Sequence, residues 1–311
     1  MDYPHQPVLV DEVVTNLISI PDGTYVDGTV GTGGHGLAIA ESLSGKGRLI
    51  CLDRDPDAVR ISRQRLAFLG NRVDVSQASF TELDRVVDNL GFKDVDGVLL
   101  DLGMSSYQLE QSGKGFSFLR DEPLDMRMDP REELTAHHLV NGLSPRDLER
   151  VLRDYGEEKR AKSVARAIVR ARRKRPIEAT KQLAAVIESV FPPSHRFKAR
   201  HPATLSFQAL RIAVNKELQN IETFLNKIPE LMAKGGRLVV LSYHSLEDRL
   251  IKHAMISWER PCVCPPNFPR CVCERDPIFR RIIKKGLKPG SEEIRRNPRA
   301  RSARLRVTER I

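Results

Sequence analysis

Asp27-Gly28-Thr29-Val30-Gly31-Thr32-Gly33-Gly34-His35-Gly36 is the stretch on which the fold turns. It follows a short strand pattern, Thr24-Tyr25-Val26-Asp27, and precedes helical spacing over Leu37–Leu43. A strand, a glycine-rich turn and a helix in that order open a β-α unit. Glycine supplies the positive φ angles and the close backbone approach that a ligand at such a turn requires. Gly31, Gly33 and Gly36 spell G-x-G-x-x-G, the spacing of dinucleotide-binding turns, which alone is a weak signal. A structural turn without a ligand is the alternative.

Moving outward, Val8–Leu17 has helical spacing, and Arg48–Asp53 reads as a buried strand ending on an acid. Pro56–Leu69 is a helix with proline in its first turn. A third strand, Val73-Asp74-Val75, a helix, Leu83–Leu90, and a fourth strand, Val95–Asp101, follow. Repeated β-α units predict a doubly wound parallel sheet, whose ligands sit at the carboxyl ends of the strands. The glycine turn, Asp53, Phe80 and Asp101 all fall there. From about Gln108 to His201 no strand pattern occurs; Pro145–Leu152, Glu157–Arg173 and Thr180–Val190 are helical. A long helix over Leu205–Leu225, a turn at Gly235-Gly236 and a buried strand over Arg237–Tyr243 come next. Leu305–Thr308 alternates like an edge strand, and Gly286–Arg304 reads as an arginine-rich loop or groove lining. The expected organisation is an α/β domain of residues 1–108 and 202–311, interrupted by a helical substrate-recognition domain over 109–201.

The 311 residues are 40% hydrophobic and 30% charged, which excludes a fibrous or wholly disordered chain. No apolar run approaches the ~20 residues of a membrane span, and Met1-Asp2-Tyr3-Pro4-His5 does not start a signal peptide. A cytoplasmic location is therefore expected. Charge is divided unevenly: residues 1–110 hold 9 basic and 17 acidic side chains, the remainder 42 and 24. A basic rear half suits a polyanionic partner such as nucleic acid; solvated helix faces are the plainer account.

The acids discriminate between ligands of the turn. A carboxylate at Asp27, placed at the mouth of the turn, would repel a pyrophosphate. S-adenosylmethionine has no phosphate and carries a sulfonium and an ammonium group, so acidic strand ends suit it. Asp53, twenty positions after Gly33, is placed to hydrogen-bond both ribose hydroxyls, and Phe80 to pack on the adenine. A helix cap and a core aromatic are the structural alternatives for these two residues.

Assembled, these residues resemble the bacterial 16S rRNA cytosine-N4 methyltransferases, the RsmH or MraW family. The matching stretches are His5-Gln6-Pro7-Val8-Leu9, Asp27-Gly28-Thr29 through Gly33-Gly34-His35-Gly36, and Asp101-Leu102-Gly103-Met104-Ser105-Ser106-Tyr107-Gln108. Gly115-Phe116-Ser117-Phe118, Pro123-Leu124-Asp125-Met126-Arg127-Met128 and Phe207–Asn215 continue the match. Ser242-Tyr243-His244-Ser245-Leu246-Glu247-Asp248-Arg249 and Asn297–Ser302 complete it. The resemblance implies a Rossmann-like class I S-adenosylmethionine-dependent methyltransferase sheet with an inserted helical domain. It implies methylation of N4 of one cytidine in the decoding centre, near the P site, of 16S rRNA in the small subunit or its precursor. It implies a cofactor site of Gly33, Gly34, His35, Asp53, Phe80, Asp101 and Gln108. Neither DNA nor a membrane is an expected partner. Where many amino-methyltransferases have Asp/Asn-Pro-Pro-aromatic, this chain has Asp101-Leu102-Gly103-Met104.

Methyl transfer from a sulfonium is an in-line displacement that the enzyme promotes by alignment and exclusion of water. Asp101, at a strand end, and His244, just past another, are the candidate catalytic groups. Asp125 and Arg127 are candidates for closing over the site, or form a local ion pair. Lys159–Arg175 contains nine basic residues and no acid, and 280–310 contains twelve basic and three acidic; both suit phosphate contacts. Cys262, Cys264, Cys271 and Cys273 form a four-thiol cluster that suggests structural zinc, although C-x-C fits a zinc knuckle less well than C-x-x-C. Cys51 reads as core. The competing functions are an NAD-dependent oxidoreductase, favoured only by G-x-G-x-x-G, and a non-catalytic RNA-binding assembly protein.

Overall fold

Strand β1 (Thr24–Asp27) sits mid-sheet, hydrogen-bonded in parallel to β2 (Arg48–Asp53) and β4 (Val95–Asp101). Strand β3 (Val73–Gln77) flanks β2, and β5 (Met232–Ser242) flanks β4, both parallel. Two antiparallel strands, β6 (Phe279–Arg281) and β7 (Arg304–Arg310), complete the order β3-β2-β1-β4-β5-β7-β6. This is the doubly wound sheet expected from the β-α rhythm, and the Rossmann-like form that the family resemblance implies. The computed structural model describes residues 7–192, 194, 201–265 and 272–311. Among them no helix is long and apolar enough to cross a membrane.

The order reverses between β1 and β4, which opens the crevice where such sheets bind ligands. Helices α1 (Val10–Leu17), α2 (Gly34–Ser42), α3 (Pro56–Leu66) and α4 (Leu83–Asn89) follow the predicted places. The middles of the central strands are apolar because both faces of the sheet are covered. Leu49, Cys51, Leu99, Val239 and Leu241 join one core with Val13, Leu17 and Ile39. Ile50, Leu52, Val98, Leu100 and Val240 join the other with Phe224, Ile251 and Phe279.

The chain forms two compact units, Met1–Gly103 with Leu218–Ile311, and Met104–Glu217. The inner unit is helical: α5 (Ser106–Glu110), α6 (Ala136–Gly142), α7 (Pro145–Gly156), α8 (Ala161–Arg172), α9 (Thr180–Glu188) and α10 (Thr204–Asn215). It reaches past the 109–201 read from the sequence, because Phe207, Ala209, Leu210 and Val214 of α10 lie in its core beside Leu148, Leu152 and Ile168.

Three further expectations need correction. The helix over Leu205–Leu225 is two helices, α10 and α11 (Glu217–Leu231), separated by Lys216 at φ 51°. Leu305–Thr308 is not an edge strand: it lies within β7, paired on both sides, and the edge belongs to β6, whose three residues are too few to show alternation. The segment 286–304 contains helix α13 (Ser291–Arg296) and a 3-10 turn over Pro298–Ser302. Helix α12 (Ser245–Glu259) links β5 to the C-terminal strands.

Candidate active site

The glycine turn is stitched to the strands on either side. The Gly28 N–H donates to the Leu99 carbonyl of β4 and the Val30 N–H to the Leu52 carbonyl of β2, each at 2.9 Å. Gly31 (φ 52°) and Gly33 (φ 80°) take the left-handed conformation, and Gly33 is the N-cap of α2. A side chain at either position would strain the turn.

Strands β2, β1 and β4 are neighbours, and each ends on an aspartate: Asp53, Asp27 and Asp101. Asp53 accepts the Gly31 N–H at Oδ2 and the Asp55 N–H at Oδ1, both at 2.9 Å. Burial, opposed by these two bonds, brings its pKa to about 6, so it is chiefly a carboxylate at neutral pH. Its second lone pairs remain able to accept ribose hydroxyls. It is thus a brace of the turn as well as the expected ribose ligand.

Asp27 differs from expectation. It does not face the mouth of the turn: it is 1% exposed, with Thr29 N–H donating to Oδ1 at 3.2 Å and Oδ2 without a hydrogen-bond partner. Burial first, then Asp101 and Asp53, raise its pKa to about 8. At neutral pH it holds a proton and would not repel phosphate, so the argument against a dinucleotide rests on Asp101 instead, Asp53 being a ribose ligand in either case.

Asp101 gathers three partners. The His35 Nδ1 lies 3.5 Å from its Oδ2. The Tyr243 hydroxyl donates to its carboxylate, and the Gly103 N–H donates to Oδ1 at 3.3 Å. His35 is 5% exposed, and its Nε2 is 2.9 Å from the Val8 carbonyl, which can only accept. The two ring nitrogens thus face the Asp101 carboxylate on one side and the Val8 carbonyl on the other. Burial, then the nearby Asp101 charge, pushes the Tyr243 hydroxyl well above its ordinary pKa, so it stays a donor. Gly103 leaves room for this ring: a Cβ there would lie 2.6 Å from Tyr243 Cε2. Sequence reasoning missed Tyr243; its signal was an aromatic residue directly after a buried strand of the sheet.

Phe80 follows β3, its Cβ close to Gly28 and its ring edge-on to Phe224 at 5.7 Å. His244 is the N-cap of α12, its Nδ1 accepting the Glu247 N–H at 3.5 Å. Its Nε2 lies 3.0 Å from Glu247 Oε1, within ion-pair reach but out of line for a hydrogen bond. Gln108 belongs to the inner unit, where it and Ser105 form the capping box of α5. The structure therefore gathers Gly33, Gly34, His35, Asp53 and Asp101 on the first β-α turns, with Phe80 beside Gly28. The acidic strand ends fit a ligand with cationic groups and a ribose diol and without phosphate.

Asp125 and Arg127 form a bidentate pair at 2.7 and 2.9 Å, and Arg127 also donates to the Pro130 and Glu132 carbonyls. Burial works against the Asp125 carboxylate, but the Arg127 contacts outweigh it and hold the pKa low. The pair is a local brace around Met126, which sits at φ 60°.

The basic stretches separate into outward and inward cations. On α8, Lys162, Arg166, Arg170 and the following Arg173 are exposed, while Val164, Ala165, Ile168 and Val169 are buried. Arg172 turns inward and donates to the Val140 carbonyl at 2.6 Å and to that of Leu143, at the end of α6. Near the C-terminus, Arg306 is 5% exposed and paired with Asp248 at 2.7 and 3.0 Å. Arg281 pairs with Glu259 at 2.9 Å and Arg280 with Glu309 at 2.7 Å. Lys284, Lys285, Lys288, Arg295, Arg299 and Arg301 stay exposed.

Residues 2–311 match the MraW methylase family. The ribosomal RNA small subunit methyltransferase H of Lachnospira eligens is 44% identical over 311 residues, covering 100% of this chain and 99% of that one. The protein of the same name from Heliobacterium modesticaldum is 46% identical over 312 residues, and that from Desulfosudis oleivorans 46% over 313, each covering 100% of both chains.

Proposed function

Because the chain belongs to the MraW methylase family, we propose that it methylates small-subunit ribosomal RNA with S-adenosylmethionine, at N4 of one cytidine in the decoding centre near the P site. The observation that carries the cofactor reading is the row of aspartates ending β2, β1 and β4 around the glycine turn. When bound, the cofactor supplies a methyl group on a sulfonium. Asp53 would accept the ribose hydroxyls, Phe80 would pack on the adenine, and the turn at Gly33-Gly34 would let the backbone approach. His35 and Tyr243 fix the orientation of Asp101.

The acceptor amine is a poor nucleophile because its lone pair delocalises into the cytosine ring. A carboxylate that accepts one N–H favours the geometry in which the lone pair points at the methyl carbon. Asp101 is assigned that role, and its three donors keep it from rotating away. The amine must release one proton when methylated, and Asp101, which would already accept one of its N–H groups, would be placed to receive it. His244 is the second polar group past the strand ends and is assigned to the acceptor side. Gln108 is assigned to the cofactor by the family resemblance alone. Exposed cations of α8 would hold phosphates without reading sequence, and the base must leave its stack to react. The exposed cations and the acidic strand ends both suit an RNA methyltransferase better than a dehydrogenase.

Labelled methyl transfer to 30S particles from cells lacking the enzyme, followed by mass mapping of nucleosides, tests this reading. N4-methylcytidine at one decoding-centre position is expected. Label on a ring carbon, on another base, or on no RNA would refute it.

A further inference from the structure

The segment between α12 and β6, residues 260–278, contains no helix or strand among its described residues. Loops of this length without secondary structure of their own are uncommon in compact units and need something to hold them. The stems are well tied. The Ile278 N–H donates to the Trp258 carbonyl at 3.0 Å, Arg281 pairs with Glu259, and the Trp258 and Phe279 rings lie 4.7 Å apart. Among the described residues beyond the stems, Val263 is 63% and Val272 66% exposed. Among these described residues no apolar core holds the loop beyond its stems.

What does converge there is sulfur. Cys262 and Cys264 on one arm and Cys273 on the other bring their Sγ atoms within 4.8 Å of one another. Sulfurs around a tetrahedral zinc with Zn–S of about 2.3 Å are about 3.8 Å apart, so a contraction of about 1 Å at most would complete the geometry. The Cys264 Sγ also accepts the Val272 N–H at 3.5 Å. On the first arm the alternation brings Cys262 and Cys264 together and leaves Val263 outside, and Val272, next to Cys273 on the second arm, is exposed too, so the spacing that argued against a knuckle is used differently here. One metal bridges the two arms where a knuckle would need a turn at each.

We propose that Cys262, Cys264 and Cys273 bind a structural zinc ion that closes this loop. Each thiol gives up its proton to solvent as the metal binds. The fourth thiol of the sequence motif, Cys271, lies outside the described residues. The site is separate from the glycine turn and its aspartates and does not depend on the methyltransferase reading.

The test is metal analysis of the full chain, purified in reductant without chelator from zinc-supplemented medium. About one zinc per chain is expected, and zinc-edge absorption should show three or four sulfur neighbours. The double substitution Cys262→Ser and Cys273→Ser should abolish retention, while Cys51→Ala should leave it intact. Should the double variant fail to fold, replacement of zinc by cobalt in the unmodified chain still decides, through the intense visible bands of tetrahedral cobalt thiolate. Zinc well below one equivalent after reconstitution, or fewer than three sulfur neighbours, would overturn the proposal.

Discussion

Replacing Asp27 by Asn should make the protein's stability less sensitive to pH, and the size of the change follows from burial. Asp27 is held near pKa 8 against an ordinary value of 3.8. A raised folded-state pKa means that the native chain keeps a proton the unfolded chain releases. The resulting stability is fully present below about pH 3.8 and is lost as pH rises toward 8. Each pH unit in that window costs about 1.4 kcal/mol, so roughly 4 kcal/mol is lost by pH 7. Asn has no such linkage, and its Oδ1 can still accept the Thr29 N–H. The stability difference between the wild type and Asp27→Asn should therefore shift by about 3 kcal/mol between pH 5 and pH 7, in favour of the variant. Urea unfolding followed by tryptophan fluorescence is the assay. The single tryptophan, Trp258, lies in the same unit as Asp27, so its signal reports the relevant transition. If the two proteins lost or gained stability in parallel across that range, Asp27 would be an ordinary ionised carboxylate and the burial argument would fail.

Asp53→Ala should weaken S-adenosylmethionine binding by roughly 1.5–3 kcal/mol, the value of hydrogen bonds to a charged acceptor; calorimetry giving unchanged affinity would remove Asp53 from the site. Because Asp53 titrates near pH 6, cofactor affinity of the wild type should decline progressively as pH falls below that value, and a flat profile down to pH 5 would contradict the assignment. Charge reversal at Lys162, Arg166, Arg170 and Arg173 should flatten the salt dependence of RNA binding, by roughly 0.7–0.9 in log–log slope per lost contact, with cofactor affinity unchanged; parallel salt lines would assign these cations to solubility. Arg172→Ala should instead lower the stability of the helical unit by roughly 1–3 kcal/mol, since it strands the carbonyls at the end of α6, whereas Arg170→Ala should leave thermal melting almost unmoved.

The contrast between Arg170 and Arg172 marks what could be read in the sequence. Periodicity showed that α8 exists and that one side is apolar, but two arginines two positions apart look alike until the carbonyls of α6 are in place. The strand-end aspartates were legible because a buried parallel strand is a continuous apolar run, and the acid that stops it stands out. Where Asp27 points was not legible, since it depends on how α2 packs over β1. The break at Lys216 was hidden because lysine is a good helix former, and nothing in its side chain announces the left-handed C-cap conformation it takes. Gln108 shows the opposite case: the motif was recognisable, yet its capping role with Ser105 emerges only from local backbone geometry.

Strands β4 and β5 are hydrogen-bonded neighbours, but 130 residues separate Asp101 from Met232. During synthesis β4 leaves the ribosome with one edge unpaired, and its partner follows roughly 7 to 26 seconds later at 5–20 residues per second. An apolar strand edge open for that long is a template for pairing with another chain. The inner unit, whose whole length is made in that interval, can fold first and bring its two ends together before β5 emerges. A nascent chain stalled before Met232 should accordingly depend on holding chaperones, and one stalled after the C-terminus should not.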